Sequence, residues 1–111
     1  MRMPTAGEMR TQVAYQERVL GTPTELGDQA ATWCDVLTLY ARVISLTGNE
    51  LFKASQIHAE VTVEVAHWYN PRVSPVGRFV IGNRYIYPLS VNGDLYNRFQ
   101  VSLCKERIGD G

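Results

Sequence analysis

The stretch Val36-Leu37-Thr38-Leu39-Tyr40-Ala41-Arg42-Val43-Ile44-Ser45-Leu46, followed by Thr47-Gly48-Asn49-Glu50 and later by Val61-Thr62-Val63-Glu64-Val65-Ala66-His67-Trp68-Tyr69, decides the fold. In the last piece Val61, Val63 and Val65 alternate with Thr62, Glu64 and Ala66, the two-residue period of a strand with one face on a core. It predicts a strand over Val61–Tyr69 that stops at Asn70-Pro71, with Glu64 on the solvated face. The first piece predicts a strand over Val36–Leu46 that is apolar on both sides: Leu37, Leu39, Ala41 and Val43 oppose Val36, Tyr40, Ile44 and Leu46. A small domain has one core, so the second face calls for cover, from a helix packed back onto it or from a neighbouring subunit. Between the two strands, Thr47 and Glu50 have the spacing of a capping box, in which each side chain satisfies an orphaned backbone N–H. A short helix from Thr47 to about Ala59 is expected there.

Working outward, residues 1–7 read as a flexible arm and Glu8–Leu20 as a strand, with Val13, Tyr15 and Val19 opposing Gln12, Gln16 and Arg18. Gly21–Ala31 carries Gly, Pro and Asp at loop density and is expected to be a surface loop. Trp33 then reads as a core or rim anchor. Downstream, Asn70–Gly77 is a connection punctuated by Pro71 and Pro75, each of which pushes the preceding residue into extended geometry. Gly82-Asn83 predicts a hairpin between Arg78–Ile81 and Arg84–Val91. Pro88 in its second arm requires an edge or a bulge. Asn92-Gly93-Asp94 marks a further turn, Arg98–Lys105 a last strand, and Glu106–Gly111 a tail with little to bury. The fold class predicted is mainly β: one domain over 1–111, a small antiparallel β-barrel or sandwich with one short α-helix (the 47–60 insertion) between central strands.

The 111 residues carry eleven basic and eleven acidic side chains, so no net charge draws the chain toward nucleic acid or an anionic membrane. Two cysteines, Cys34 and Cys104, are too few for a disulfide framework and are expected to be free thiols. The N-terminal residues have a charge but no apolar run behind it, and no later run has the length of a membrane span, which predicts neither secretion nor anchoring.

Catalytic chemistry finds no support. His58 and His67 match no zinc spacing, no Ser-His-Asp or Cys-His arrangement stands out, and Gly77 and Gly82 are followed by Asn83-Arg84 where a phosphate loop needs Lys and Ser or Thr. No enzyme, metal or cofactor is expected. The run His67-Trp68-Tyr69-Asn70 with Arg72, Arg78 and Arg84 has the composition of a protein interface. It also suits stacking of a single strand on an OB-like barrel, and the zero net charge favours protein. Trp68, Tyr69, Arg72 and Arg78 are the interface residues predicted.

Taken together, the chain resembles the head-tail joining, or head-closure, proteins of long-tailed bacteriophages. Gly7-Glu8-Met9-Arg10-Thr11-Gln12-Val13 with Gln16 is similar to that family's G-E-L-R-x-R-I start. Gly27-Asp28 and Trp33, then Tyr40-Ala41-Arg42-Val43 and Gly48-Asn49-Glu50, resemble its W-A-x-V and S-G-x-E elements. Phe52, Ala54, Gln56, Ala59 and Val61-Thr62, then Arg78-Phe79, Gly82, Tyr85 to Tyr87 and Leu103-Cys104-Lys105-Glu106 complete the match. The departures are Thr11-Gln12 in place of a second Arg, Tyr40 in place of Trp, and His67-Trp68-Tyr69-Asn70 in place of an R-Y-R-like segment.

The resemblance implies a non-enzymatic virion protein of the head-to-tail connector, assembled in the host bacterial cytoplasm. Such a protein docks below the portal and adaptor, closes the DNA channel after packaging and presents the tail-attachment surface. Its partners would be portal, adaptor and tail proteins and further copies of itself in a ring, dodecameric in the virion and monomeric in isolation. Packaged DNA would lie in the channel without sequence-specific binding. The segment between the central strands would be the gate, here Thr47, Glu50, Leu51, Phe52, Ala54 and Ile57. Besides the OB-like binder of single-stranded nucleic acid, the other reading is a tail-completion or tail-terminator ring protein.

Overall fold

The computed structural model of the chain describes residues 6–23, 29–56, 59–93, 96 and 98–108. A 3-10 turn at Ala6–Glu8 leads into β1 (Thr11–Pro23) and β2 (Gln29–Ser45). Helix α1 (Gly48–Ser55) follows, then β3 (Val63–Trp68), β4 (Arg78–Ile81), β5 (Arg84–Gly93) and β6 (Phe99–Ile108). All pairings are antiparallel, and the sheet closes in the order β1-β2-β3-β6-β5-β4, with β4 returning to β1 through Ala14↔Val80, Tyr15↔Phe79 and Gln16↔Arg78. Of the two architectures predicted, the closed barrel is the one adopted.

The barrel interior follows the strand period. Val63, Val65 and His67 of β3 face Val13, Tyr15, Ala41, Phe79, Ile86 and Cys104. Tyr15 and Phe79 meet with ring centroids 5.7 Å apart, and His67 sets its ring edge-on to Phe79 at 5.9 Å. The imperfect alternation of Val36–Leu46 has a local cause. Tyr15 pairs with Leu37 but Gln16 pairs with Asp35, so Val36 is the extra residue of a β-bulge, and Val36 and Leu37 both pack against the core. A second bulge between Pro88 and Ser90 places Pro88 where the ladder is already broken, as its missing N–H requires. Gly82 turns the β4–β5 hairpin at φ +58°.

Several boundaries move. Gly21–Ala31 is not all loop: β1 runs to Pro23 and β2 starts at Gln29, while residues 24–28 lie outside the described set. β1 pairs with β4 only up to Gln16, and β2 meets β3 only from Ala41, so the remaining lengths form a two-stranded ribbon that projects from the barrel. At about 3.3 Å per residue the ribbon adds roughly 20 Å, and the molecule measures 50 × 26 × 26 Å. An outer edge with no ladder partner tolerates Gly21 and Pro23, which is why loop composition and strand geometry coexist. Glu106–Ile108 is strand rather than tail, and Glu106 takes both Nε and Nη2 of Arg84 at 2.7 Å.

The outer faces are covered unevenly. Glu64, expected in solvent, is buried and accepts from Arg42 Nη2 at 3.2 Å, with Glu8 of the N-terminal turn 3.6 Å from Arg42 Nη1. The N-terminal turn reaches this face through Glu8, and Met9 beside it is buried as well. Further along, Leu46, Val61 and Leu103 form a second cluster beneath Ala54 and Leu51 of α1. The helix thus provides part of the cover demanded by the second apolar face of β2, while Tyr40 on that face stays 58% exposed.

Candidate functional site

The segment from Asn70 to Gly77 has to carry the chain from β3 to β4, which are not neighbours in the barrel. It drops Val73 into the core on the way. Asn70 accepts the Arg72 amide on Oδ1 at 2.9 Å and donates its own amide to Gln100 Oε1 at 3.0 Å. Gly77 passes so close to Tyr15 that a Cβ there would land on the phenol ring. The Arg72 guanidinium leaves this segment to hold Glu17 of the ribbon through two bonds of 3.1 and 3.2 Å.

The four predicted interface residues are therefore not one patch. Trp68 lies on the outward parity of β3, half exposed, and stacks on its cross-strand partner Phe99 at 4.7 Å with the ring planes 22° apart. Tyr69 continues the pairing, its amide donating to the Arg98 carbonyl at 2.8 Å. Arg98 lies 5.3 Å from the Tyr96 ring, and Tyr69, Tyr96 and Tyr40 are all exposed. Exposed aromatic rings with an arginine are the composition of interface hot spots.

Arg78, by contrast, is only 6% exposed and sits where the ribbon meets the barrel wall. Its guanidinium lies over Trp33 at 4.2 Å and Tyr85 at 4.5 Å, while Nε donates to Gln16 at 2.8 Å and Nη1 to the Tyr87 hydroxyl at 3.0 Å. Trp33 is thus the rim anchor expected of it. Arg78 lines a cleft of about 760 Å³ together with Arg18, Trp33, Tyr87, Lys105 and Arg107. The sequence singles out Arg78 but not this company, which comes from four strands and becomes visible only once the register is known.

On the predicted gate, Thr47 is the N-cap of α1 but makes no side-chain capping bond, so the capping box is not formed. Gly48 opens the helix at φ +57°, a left-handed geometry that favours glycine. Thr47, Glu50 and Phe52 are exposed, Leu51 is half-buried and Ala54 is buried; Ile57 and His58 lie outside the described residues. The helix ends at Ser55, not near Ala59.

Inside the barrel, His67 Nδ1 donates to the Trp68 carbonyl at 2.7 Å, and among the described residues its Nε2 has no hydrogen-bond partner. Burial pushes the His67 pKa below its ordinary 6.5, opposed by that hydrogen bond. Burial likewise pushes the Cys104 thiol far up, away from reactivity, while Cys34 lies exposed; both are free. Among the described residues no three His, Cys, Asp or Glu side chains gather as metal ligands. Nor, among the described residues, is any helix long and apolar enough to cross a membrane.

The sequence model of the phage head completion proteins matches residues 4–107, nearly the whole chain. The chain belongs to the phage head completion protein family. This head completion protein is similar in fold to a Shigella flexneri 2a protein solved in solution, with a TM-score of 0.70, 21% identity, and 93% of this chain and 96% of that one covered. It is also similar to a chain from the virion of a native gene transfer agent particle, with a TM-score of 0.61, 18% identity and coverage of 90% and 96%. No curated protein matches its sequence. The overall fold is thus similar between these structures and this head completion protein, whose expected family the match over residues 4–107 bears out.

Proposed function

We propose that this head completion protein docks below the portal or its adaptor after packaging, closes the DNA channel and presents the surface to which the tail attaches. The observation that carries the reading is the family match over residues 4–107. The likeness to a chain of a gene transfer agent virion supports a place in a particle, and the exposed Trp68–Phe99 stack with Tyr40 and Tyr69 supports lasting protein contacts. In the virion the copies form a ring of twelve around the channel, DNA passes without sequence readout, and Thr47–Glu60 is the gate. The role is mechanical, with no catalysis.

The test is complementation. Heads assembled without the protein should package DNA, lose it on dilution and fail to join tails, and purified protein added afterwards should restore both. Heads that keep their DNA and accept tails without it would overturn the reading.

A further inference from the structure

The cleft around Arg78 is electrostatically unbalanced. Four of its lining side chains are basic, namely Arg18, Arg78, Lys105 and Arg107, against one carboxylate, Glu60, which Lys105 already engages at 3.4 Å. Among the described residues no carboxylate pairs with Arg18, Arg78 or Arg107, in a chain whose overall charge is zero. Arg78 is the sharpest case. A guanidinium this buried is costly unless its charge is met, and the rings of Trp33 and Tyr85 offset part of that cost. Its Nε and Nη1 are used, but Nη2 has no acceptor among the described residues. The rings hold the fork flat and fixed, the preorganisation that favours a planar carboxylate.

We infer that this cleft is a docking site for an acidic peptide segment of a neighbouring virion protein, one of whose carboxylates binds Arg78 Nη2 between the ribbon and the barrel wall. The inference rests on the proposed connector role only for the partner being another virion protein. Two features favour a peptide over a nucleic-acid backbone. Val76 and Leu89 add apolar wall beside the cations, which suits a side chain next to the acid. The central cation is also inset rather than ranged along an exposed groove, as strand tracking requires. The cleft volume, about 760 Å³, is that of a site for a few residues.

The test uses the isolated full chain. An eight-residue peptide alternating glutamate and leucine is titrated in while the Trp33 indole and Arg78 Nε–H resonances are followed, beside a glutamine–leucine peptide and a single-stranded oligonucleotide of equal length. The glutamate peptide should shift both resonances saturably, and the glutamine peptide should not. Arg78→Lys, which keeps the charge but loses the planar fork, should weaken binding at least tenfold. Should that variant not fold, Arg18→Gln with Arg107→Gln on the exposed rim should weaken it several-fold in a folded barrel. Equal response to the glutamine peptide, tighter binding of the oligonucleotide, or unchanged affinity in the variants would overturn the inference. These readouts need no particle, so they fail or succeed separately from the complementation test.

Discussion

The Tyr15 hydroxyl grips Ser74 by both backbone groups, donating to its carbonyl at 3.2 Å and accepting from its amide at 3.1 Å. Residues 59 apart in sequence thus fix the segment that crosses from β3 to β4, and the same ring is the reason for glycine at position 77.

Tyr15→Phe keeps the ring and its contact with Phe79 but leaves both Ser74 groups without their partner. The expected loss is about 1–3 kcal/mol, read as a lower urea midpoint with faster amide exchange at Ser74 and Gly77. Gly77→Ala should be worse, because backbone or ring must shift. A Tyr15→Phe variant as stable as the parent would mean that water replaces the clamp without loss.

The Arg42–Glu64 pair is buried on both sides, and removing one partner from such a pair strands the other. Glu64→Ala should cost about 3–5 kcal/mol if Arg42 stays charged and buried, moderated by Glu8 at 3.6 Å. Arg42→Met with Glu64→Leu should recover much of that loss. Single variants whose effects simply add in the double would show that the two side chains do not interact energetically.

How far the sequence carries can be seen in these same residues. The β period, the Gly82 hairpin, the Pro88 break and the helical insertion were all legible, because each is local chemistry. Glu64 was not: its parity correctly points outward, but its buried partner Arg42 lies 22 residues away on another strand. The ribbon was missed for the opposite reason, since strands with free edges carry no core period to read. Arg78 was legible as an interface arginine only by composition, and its cage of Trp33, Tyr85 and Tyr87 depends on the β1–β2, β1–β4 and β4–β5 registers together.

Buried His67 gives the stability a pH dependence of known sign. Its pKa is lowered by folding, so above the ordinary 6.5 both folded and unfolded chains hold it neutral and the full stability is present. As pH falls below 6.5 toward the depressed folded value, the unfolded chain takes up the proton first and stability drops. Urea midpoints measured from pH 7.5 down to 5 should fall, and His67→Phe should flatten that slope while the parent keeps it. Parallel slopes in the two proteins would assign the pH dependence elsewhere.

The last prediction concerns α1. The helix touches the barrel through Leu51 and Ala54 on the cluster of Leu46, Val61 and Leu103, and leaves Phe52 67% exposed. Its two ends are already joined beneath it, since the Leu46 amide donates to the Thr62 carbonyl at 2.9 Å. Replacing Thr47–Glu60 by a short Gly-Ser linker therefore closes a loop between paired strands, at a small entropic cost. The side chains uncovered are few, and the loss expected is about 2–4 kcal/mol on the usual scale for burying one or two aliphatic groups, so the barrel should remain folded. If the segment is the gate, with Phe52 turned toward neighbouring copies once the protein is docked, heads carrying the linker variant should accept it and still lose their DNA. A linker variant that does not fold makes α1 part of the core. One that folds, docks and retains the DNA moves the gate to another segment.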